Sequence, residues 1–352
     1  MLARRPFVAS SRFPLGSFLL LLAAQGACAQ DNSLAPGPRP ADVSAEQKQW
    51  IGDYGPDGPM LSSLAEKEGK LILIGERLGE CSVTQKSSTE LTAVCPTRQN
   101  VRLVKDASGT FVLRAGEESL KRRDFGVDAN QVARIQPVRP VDELRREALE
   151  ASPPQEKGEF RKPDLVELAP LDGAIHLDIR YATNNDFLGT AVYTQARAFL
   201  QRPAAEALLR AHQKLRKLGY GLLIHDAYRP WYVTKIFWDA TPAEGKIFVA
   251  DPSQGSRHNR GCAVDLTIYD LHSGKPIEMP GTYDEMSPRS FPKYAGGTSL
   301  QRWHRELLRR AMESEGFAVY EFEWWHFDYK DWREYPIQNI PFEKISPASA
   351  AN

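Results

Sequence analysis

Two short stretches of this chain hold residue types that can bind a cation and move a proton. The first, Ser256-Arg257-His258-Asn259-Arg260-Gly261-Cys262-Ala263-Val264-Asp265, sets an imidazole and a carboxylate in one box. Both are ordinary zinc ligands. A histidine followed by an aspartate is weak evidence alone, because aspartate fills ~5% of positions by composition. The context sharpens it: Val264, Leu266 and Ile268 alternate with Ala263, Asp265 and Thr267, the period of a β-strand. Asp265 is therefore expected to point away from the apolar face, toward a site. The second stretch, Glu321-Phe322-Glu323-Trp324-Trp325-His326-Phe327-Asp328-Tyr329, wraps acids and a histidine in aromatic residues. Ionisable groups in such a frame are costly unless paired or metal-bound. In a regular strand Glu323 and His326 face opposite sides, so both reach one site only if the strand bends or bulges between them.

Together, His258, Asp265 and His326 would give one Zn2+ per chain three protein ligands and leave the fourth position to water, the pattern of a catalytic zinc. Glu323 then serves as the general base. A third box, His225-Asp226-Ala227-Tyr228-Arg229-Pro230, supplies in Arg229 a guanidinium for a developing oxyanion. Cys262 as a fourth ligand would close the site and make it structural. It stands an odd number of residues from Asp265, however, and is expected to face away. Trp324 and Trp325 are expected as core or pocket wall. His176, His212, His272 and His304 have no ligand spacing and are expected to be structural or exposed.

These boxes resemble the D-alanyl-D-alanine dipeptidases of the vancomycin-resistance type, within the wider zinc D,D-peptidase group. The resemblance runs from about Asp164 to Lys344. It rests on SxHxxGxAxD, on Glu-Trp-Trp-His, on Tyr-Arg-Pro, and on Ile179-Arg180-Tyr181-Ala182-Thr183-Asn184-Asn185-Asp186-Phe187-Leu188-Gly189, which is similar to a tyrosine-bearing entry strand. It implies His258, Asp265 and His326 as zinc ligands, Glu323 as base and Arg229 as transition-state arginine. Tyr181, Ser256 and Asp284 would line the substrate pocket, with Asp284 facing the substrate ammonium. Met279-Pro280-Gly281-Thr282 departs from the family's Met-Gly-Thr spacing, and Cys262 stands where a small hydroxyl or aliphatic residue is usual. The implied fold is α+β, a zinc D,D-peptidase-like domain with a central antiparallel sheet and flanking helices. The implied activity is hydrolysis of a free D-Ala-D-Ala dipeptide. The alternatives are a D,D-carboxypeptidase or endopeptidase on peptidoglycan stems, and a non-catalytic cell-wall-binding protein with a vestigial zinc site, against which the intact Glu323 argues.

The elements that must position these boxes are partly legible. Leu208, Leu209, His212, Leu215 and Leu218 form a helical stripe over Pro203 to Leu218, stopped by Gly219. Leu300, Trp303, Leu307, Leu308 and Met312 form another over Ser299 to Glu315, stopped by Gly316. His176 to Tyr181 and Phe317 to Tyr329 read as extended. A charged helix is expected over Val141 to Glu150, ahead of a linker at 151–163. Between 47 and 150 short β-type runs recur at Leu71–Ile74, Leu91–Val94, Val101–Val104 and Thr110–Leu113, separated by turn residues. This predicts a small, mainly β accessory domain without a histidine, followed by a catalytic domain at 164–345 and a tail at 346–352. Cys81 and Cys95 flank a polar stretch, and a bridge is expected there, with two unbridged thiols as the alternative and Cys262 free.

Arg4, Arg5 and Arg12 precede an apolar run from Leu15 to Ala24 that ends in Ala27-Cys28-Ala29, the form of a secretory signal peptide at 1–29. The run is short of the ~20 apolar residues that a span needs. An exported protein, periplasmic or extracellular, is expected, with a flexible leader at 30–46 and no transmembrane segment once the signal is removed. Disulfides persist in that setting. Lys+Arg and Asp+Glu both total 45 in 352 residues, so no overall field draws the chain to nucleic acid. The expected partners are a small dipeptide and, through the β domain, peptidoglycan.

Overall fold

Alternating apolar residues in the first half of the chain form eight antiparallel strands joined as a meander. They are β1 (Gly52–Tyr54), β2 (Ser62–Lys67), β3 (Lys70–Gly75), β4 (Gly79–Ser87), β5 (Glu90–Val94), β6 (Asn100–Lys105), β7 (Phe111–Ala115) and β8 (Glu118–Lys121). A short helix, α1 (Ala45–Lys48), precedes them. The computed structural model describes residues 34–97, 100–123 and 134–345; the expected signal peptide and the tail at 346–352 fall outside them. Gly55 N donates to Lys121 O and Arg123 N to Asp53 O, so the first strand also bonds the end of the last and the sheet closes on itself. Closure removes the open edges that would otherwise template association. Trp50, Leu64, Leu73, Leu91, Leu103 and Leu113 fill its interior. Cys81 and Cys95 are bridged and Cys262 is a buried free thiol, as the sequence predicts.

The second half has its own core around a five-stranded mixed sheet. The helix expected at Val141–Glu150 forms there as α2, and it buries Leu144 and Ala148 in this second core, not inside the closed sheet. β9 (Leu165–Glu167) pairs with β11 (Phe199–Gln201) beside the main sheet. The main sheet runs β10 (Ile175–Leu177), β12 (Tyr220–Asp226), β13 (Ala263–Asp270), β15 (Glu323–Tyr329), β14 (Phe317–Tyr320). It is antiparallel except at its edge, where β10 runs parallel to β12. The long amphipathic helices α3 (Arg202–Arg216) and α5 (Ser299–Glu313) pack together. Each stops two residues earlier than its stripe predicts, and Gly219 and Gly316 follow with φ of 90° and 88°, a conformation that glycine adopts freely. Thr298 and Gln301 close a reciprocal capping box at the start of α5.

One expectation needs correction, and one helix was not expected. The segment from His176 to Tyr181 is not a continuous strand: β10 ends at Leu177, and Arg180–Ala182 forms a 3-10 turn that carries Tyr181. The sequence also gave no sign of α4 (Trp231–Ala240), which begins after Pro230 and buries Trp231, Tyr232, Val233, Thr234, Ile236, Phe237 and Ala240. A helix buried on nearly every side shows no stripe. No helix among the described residues is long and apolar enough to cross a membrane.

Candidate active site

The central strands β12, β13 and β15 bring three polar residues into one row. Asp226 lies opposite Asp265, and Asp265 lies opposite His326. Two carboxylates facing each other across strands repel, and Arg229 relieves this pair. Its Nη2 stands 2.7 Å from Asp226 Oδ2 and 3.8 Å from Asp265 Oδ2. His258 enters from the 3-10 turn His258–Arg260 ahead of β13. Gly261 ends that turn at φ 69°, and a Cβ there would come within 2.6 Å of the Leu165 side chain, so only glycine leads so tight a turn into the strand.

His258, Asp265 and His326 are buried, and one ligand atom from each lies within 4.8 Å of the others. His326 Nδ1 is 3.0 Å from Asp265 Oδ1 and 3.1 Å from His258 Nε2, and His258 Nε2 is 3.4 Å from Asp265 Oδ1. The far nitrogens are engaged elsewhere. His258 Nδ1 lies 2.6 Å from Ala227 O and His326 Nε2 lies 2.9 Å from Asp328 Oδ1, so each ring is oriented with its second nitrogen turned inward. Burial opposes a charge on His326, yet Asp328 and Asp265 push its pKa up to about 10. Burial would raise the Asp265 carboxyl, but His258 and His326 hold it well below the usual carboxylate range. Two imidazoles and a carboxylate suit a divalent transition metal. Cys262 is outside this group: it precedes β13 and its Sγ bonds Arg260 O.

The bend needed to bring Glu323 to His326 is present. Pairing between β14 and β15 slips where Val319 faces Phe327 but Tyr320 faces Glu323, and Glu323 Oε2 comes within 3.6 Å of His326 Nδ1. Burial pushes the Glu323 pKa up to about 7; His326 and Arg229 pull it down while Asp265 and Asp328 push it up. Arg229 is buried and donates through Nε to Asp226 Oδ2 at 2.9 Å. Burial disfavours its charge, but Asp226 first, then Tyr181, Tyr193 and Asp265, more than offset this.

Tyr181, Ser256 and Asp284 all line the same cleft as the donor cluster, Glu323 and Arg229. Ser256 Oγ accepts from His258 N at 3.2 Å, bracing the turn that presents His258. Asp284 adopts a left-handed φ of 57°, and its Oδ2 is buried without a partner. Burial, then Asp265, raises its carboxyl well above the ordinary range, and Glu323 adds to this, while a hydrogen bond from Tyr181 and the charge of Arg229 oppose it.

A sequence profile of peptidase family M15, described as D-ala-D-ala dipeptidase, matches residues 161–345. That is more than half of the chain. The chain belongs to this family. A D-alanyl-D-alanine dipeptidase of Escherichia coli K12 is 34% identical over 187 residues, covering 53% of this chain and 95% of that protein. Dipeptidases of the same name from Enterococcus faecalis V583 and Enterococcus faecium are 35% and 34% identical, covering 45% and 49% of this chain and 88% and 95% of those proteins. The family is one of metallopeptidases, hence of hydrolases, and the matched span contains the whole donor cluster. Within this dipeptidase-family core, two residues escaped the reading of the motifs. Asp226, three residues before Arg229, orients the guanidinium and receives Tyr193 OH at 2.7 Å. Asp328 orients His326 from two places along β15, a spacing that puts both on one face of a strand and offered the signal.

Proposed function

We propose that this chain is an exported zinc metallopeptidase that hydrolyses D-Ala-D-Ala to two alanines, with 164–345 as its catalytic domain, α2 packed onto it, and the closed sheet of β1 to β8 as an accessory domain. The observation that carries the reading is the convergence of His258 Nε2, Asp265 Oδ1 and His326 Nδ1 beside Glu323, in a cleft that also holds the unpartnered Asp284 Oδ2. The relatives' names supply the substrate. His258, Asp265 and His326 would hold the zinc, which when bound supplies a Lewis acid that acidifies water and polarises the scissile carbonyl. Glu323 accepts the proton of the attacking water and passes it to the departing amine as the C–N bond breaks. Arg229, fixed by Asp226, offers N–H donors to the oxygen on which charge develops. Asp284 and Tyr181 receive the substrate ammonium, and Ser256 holds the His258 turn while lining the pocket.

A carboxylate enclosed with the reacting groups rewards a free ammonium and leaves an acylated terminus unpaired. With zinc-loaded protein, D-Ala-D-Ala is expected to be cleaved and its N-acetylated form to be a very poor substrate. Comparable kcat/KM for the two, with cleavage of a pentapeptide stem, would move the assignment to a carboxypeptidase. Failure to cleave any Ala-Ala peptide would leave a non-catalytic wall-binding protein.

A further inference from the structure

The loop between β13 and α5, residues 271–298, carries Asp284 and is braced from outside the catalytic core. We infer that the closed eight-stranded sheet is a positioning element for this loop, and that its Asp53 and Glu66 hold Asp284 against the donor cluster. The inference rests on the reading of Asp284 as the partner of the substrate ammonium.

Asp53 and Glu66 are 0% and 2% exposed. Acids are almost never buried so fully unless paired. Both point out of the sheet into the second half. Asp53 Oδ1 accepts from Tyr294 OH at 2.6 Å and from Ser63 Oγ at 2.5 Å. Glu66 takes the end of the loop and the start of α5: Glu66 N donates to Gly297 O at 3.0 Å, and its carboxylate receives Ser299 N at 2.7 Å and Ser299 Oγ at 3.2 Å. A carboxylate at the first turn of a fifteen-residue helix is favourably placed toward the helix dipole.

From Tyr294 the bracing continues inward through backbone turns, Tyr294 N donating to Phe291 O at 3.0 Å and Phe291 N to Pro288 O at 3.2 Å. Arg289 Nε donates to Pro280 O at 3.1 Å and stands 3.3 Å from Glu285 Oε1. The Glu285 carboxylate accepts from Thr282 N at 3.0 Å and from Ser287 Oγ at 2.5 Å. Tyr283 OH reaches Asp265 Oδ2 at 3.1 Å, so Asp284 is held between the donor cluster and a loop tied to the sheet. Its left-handed backbone is disfavoured for a residue with a side chain and persists only where the surroundings fix it. The family match begins at residue 161, and the Escherichia coli relative is covered over 95% of its own length by the match, so this outer brace is additional to the shared chemistry. Its loss should therefore weaken capture of the ammonium more than bond breaking.

The test uses full-length, zinc-loaded protein with Tyr294→Phe, Asp53→Ala and the double variant. Each single change should raise KM for D-Ala-D-Ala about fivefold with kcat within about twofold, the scale of one lost hydrogen bond. The double variant should be no worse than either single one, because both remove the same contact. Amide hydrogen exchange should accelerate at Tyr283–Glu285 while the interior strands of the sheet stay protected. Unchanged KM and unchanged exchange in the loop would overturn the inference, as would a parallel loss of kcat and thermal stability with no selective change at 283–285. A parent that ignores D-Ala-D-Ala sinks the proposed activity instead, and the exchange experiment then still decides whether the sheet holds the loop.

Discussion

The two cores of this chain treat charge in opposite ways. Inside the closed sheet, Leu64, Leu73, Leu91, Leu103 and Leu113 pack around Trp50, and the buried acids Asp53 and Glu66 bond partners in the second half. Inside the mixed sheet, the most buried strands carry Asp226 and Asp265, with His258, His326 and Arg229 packed against them. Such groups cost free energy to bury and remain only where they satisfy one another or a bound ion. The interior of the first core is thus apolar packing, with its acids turned outward to the loop of the second half, and the second core holds groups whose worth lies in reactivity. A substitution in one should be felt in the folding equilibrium, and a substitution in the other in turnover.

The largest effects should come from the charged row. Glu323→Ala removes the proposed base, which is not among the three donors, so the variant should keep its fold and bind zinc as the parent does while kcat falls ~10²–10⁴-fold. His326→Ala should lose metal as well as activity, because it removes one of three donors. Zinc stoichiometry and kcat measured on both variants separate the two roles. A Glu323→Ala protein that has shed its zinc, or that turns over near the parent rate, would show that the general-base assignment is wrong.

The closed sheet should respond in the other currency. Cys81 and Cys95 close a loop with a sequence separation of 14, for which chain entropy suggests ~3 kcal/mol. Replacing both with serine should lower the denaturation midpoint by a corresponding amount and leave kcat unchanged wherever the protein remains folded. A large fall in kcat in the folded variant would mean that the sheet takes part in the chemistry and not only in holding the loop.

How much of this was legible in the sequence follows from the same contrast. The runs at Leu91–Val94 and Val101–Val104 alternate because one side faces a core and the other is more open, and Leu71–Ile74 is a short apolar run bounded by turn residues, so all three fell inside observed strands. The amphipathic helices α3 and α5 were legible for the same reason. β12 and α4 were not: β12 is buried along its whole length and α4 around most of its girth, and neither leaves a polar face to reveal its period. Site residues came from motif spacing, which brought out His258, Asp265, Glu323 and His326 but gave Asp226 and Asp328 no separate role. Closure of the first sheet escaped as well, since it depends on long-range bonds between Gly55 and Lys121 and between Arg123 and Asp53.

The smallest effect in this series concerns acid. No histidine lies between residues 47 and 138, whereas the second core buries His304 on α5 with its Nε2 3.0 Å from Tyr220 OH. Burial, then nearby Arg39, lowers the His304 pKa from 6.5 to about 4 against the opposing pull of Asp42. The unfolded chain therefore takes up a proton at this residue below pH 6.5, while the folded protein resists it until about pH 4. Folding stability from this group is full above 6.5 and declines as pH falls through that window. The loss should amount to ~2 kcal/mol by pH 5, given about 1.4 kcal/mol per pKa unit. Asp186 works in the opposite direction, since burial raises its carboxyl to about 6 and favours protonation in the folded state. The parent's total pH dependence mixes these with the shifted groups of the site, and the comparison must be made with His304→Gln, which keeps a polar partner for Tyr220 and removes the titration. The stability gap between parent and variant should change by ~2 kcal/mol between pH 7.5 and pH 5, in favour of the variant at the acidic end. Denaturant midpoints at both pH values measure this directly, and a gap that does not move with pH would show that His304 is already protonated, or equally solvated, in the folded protein.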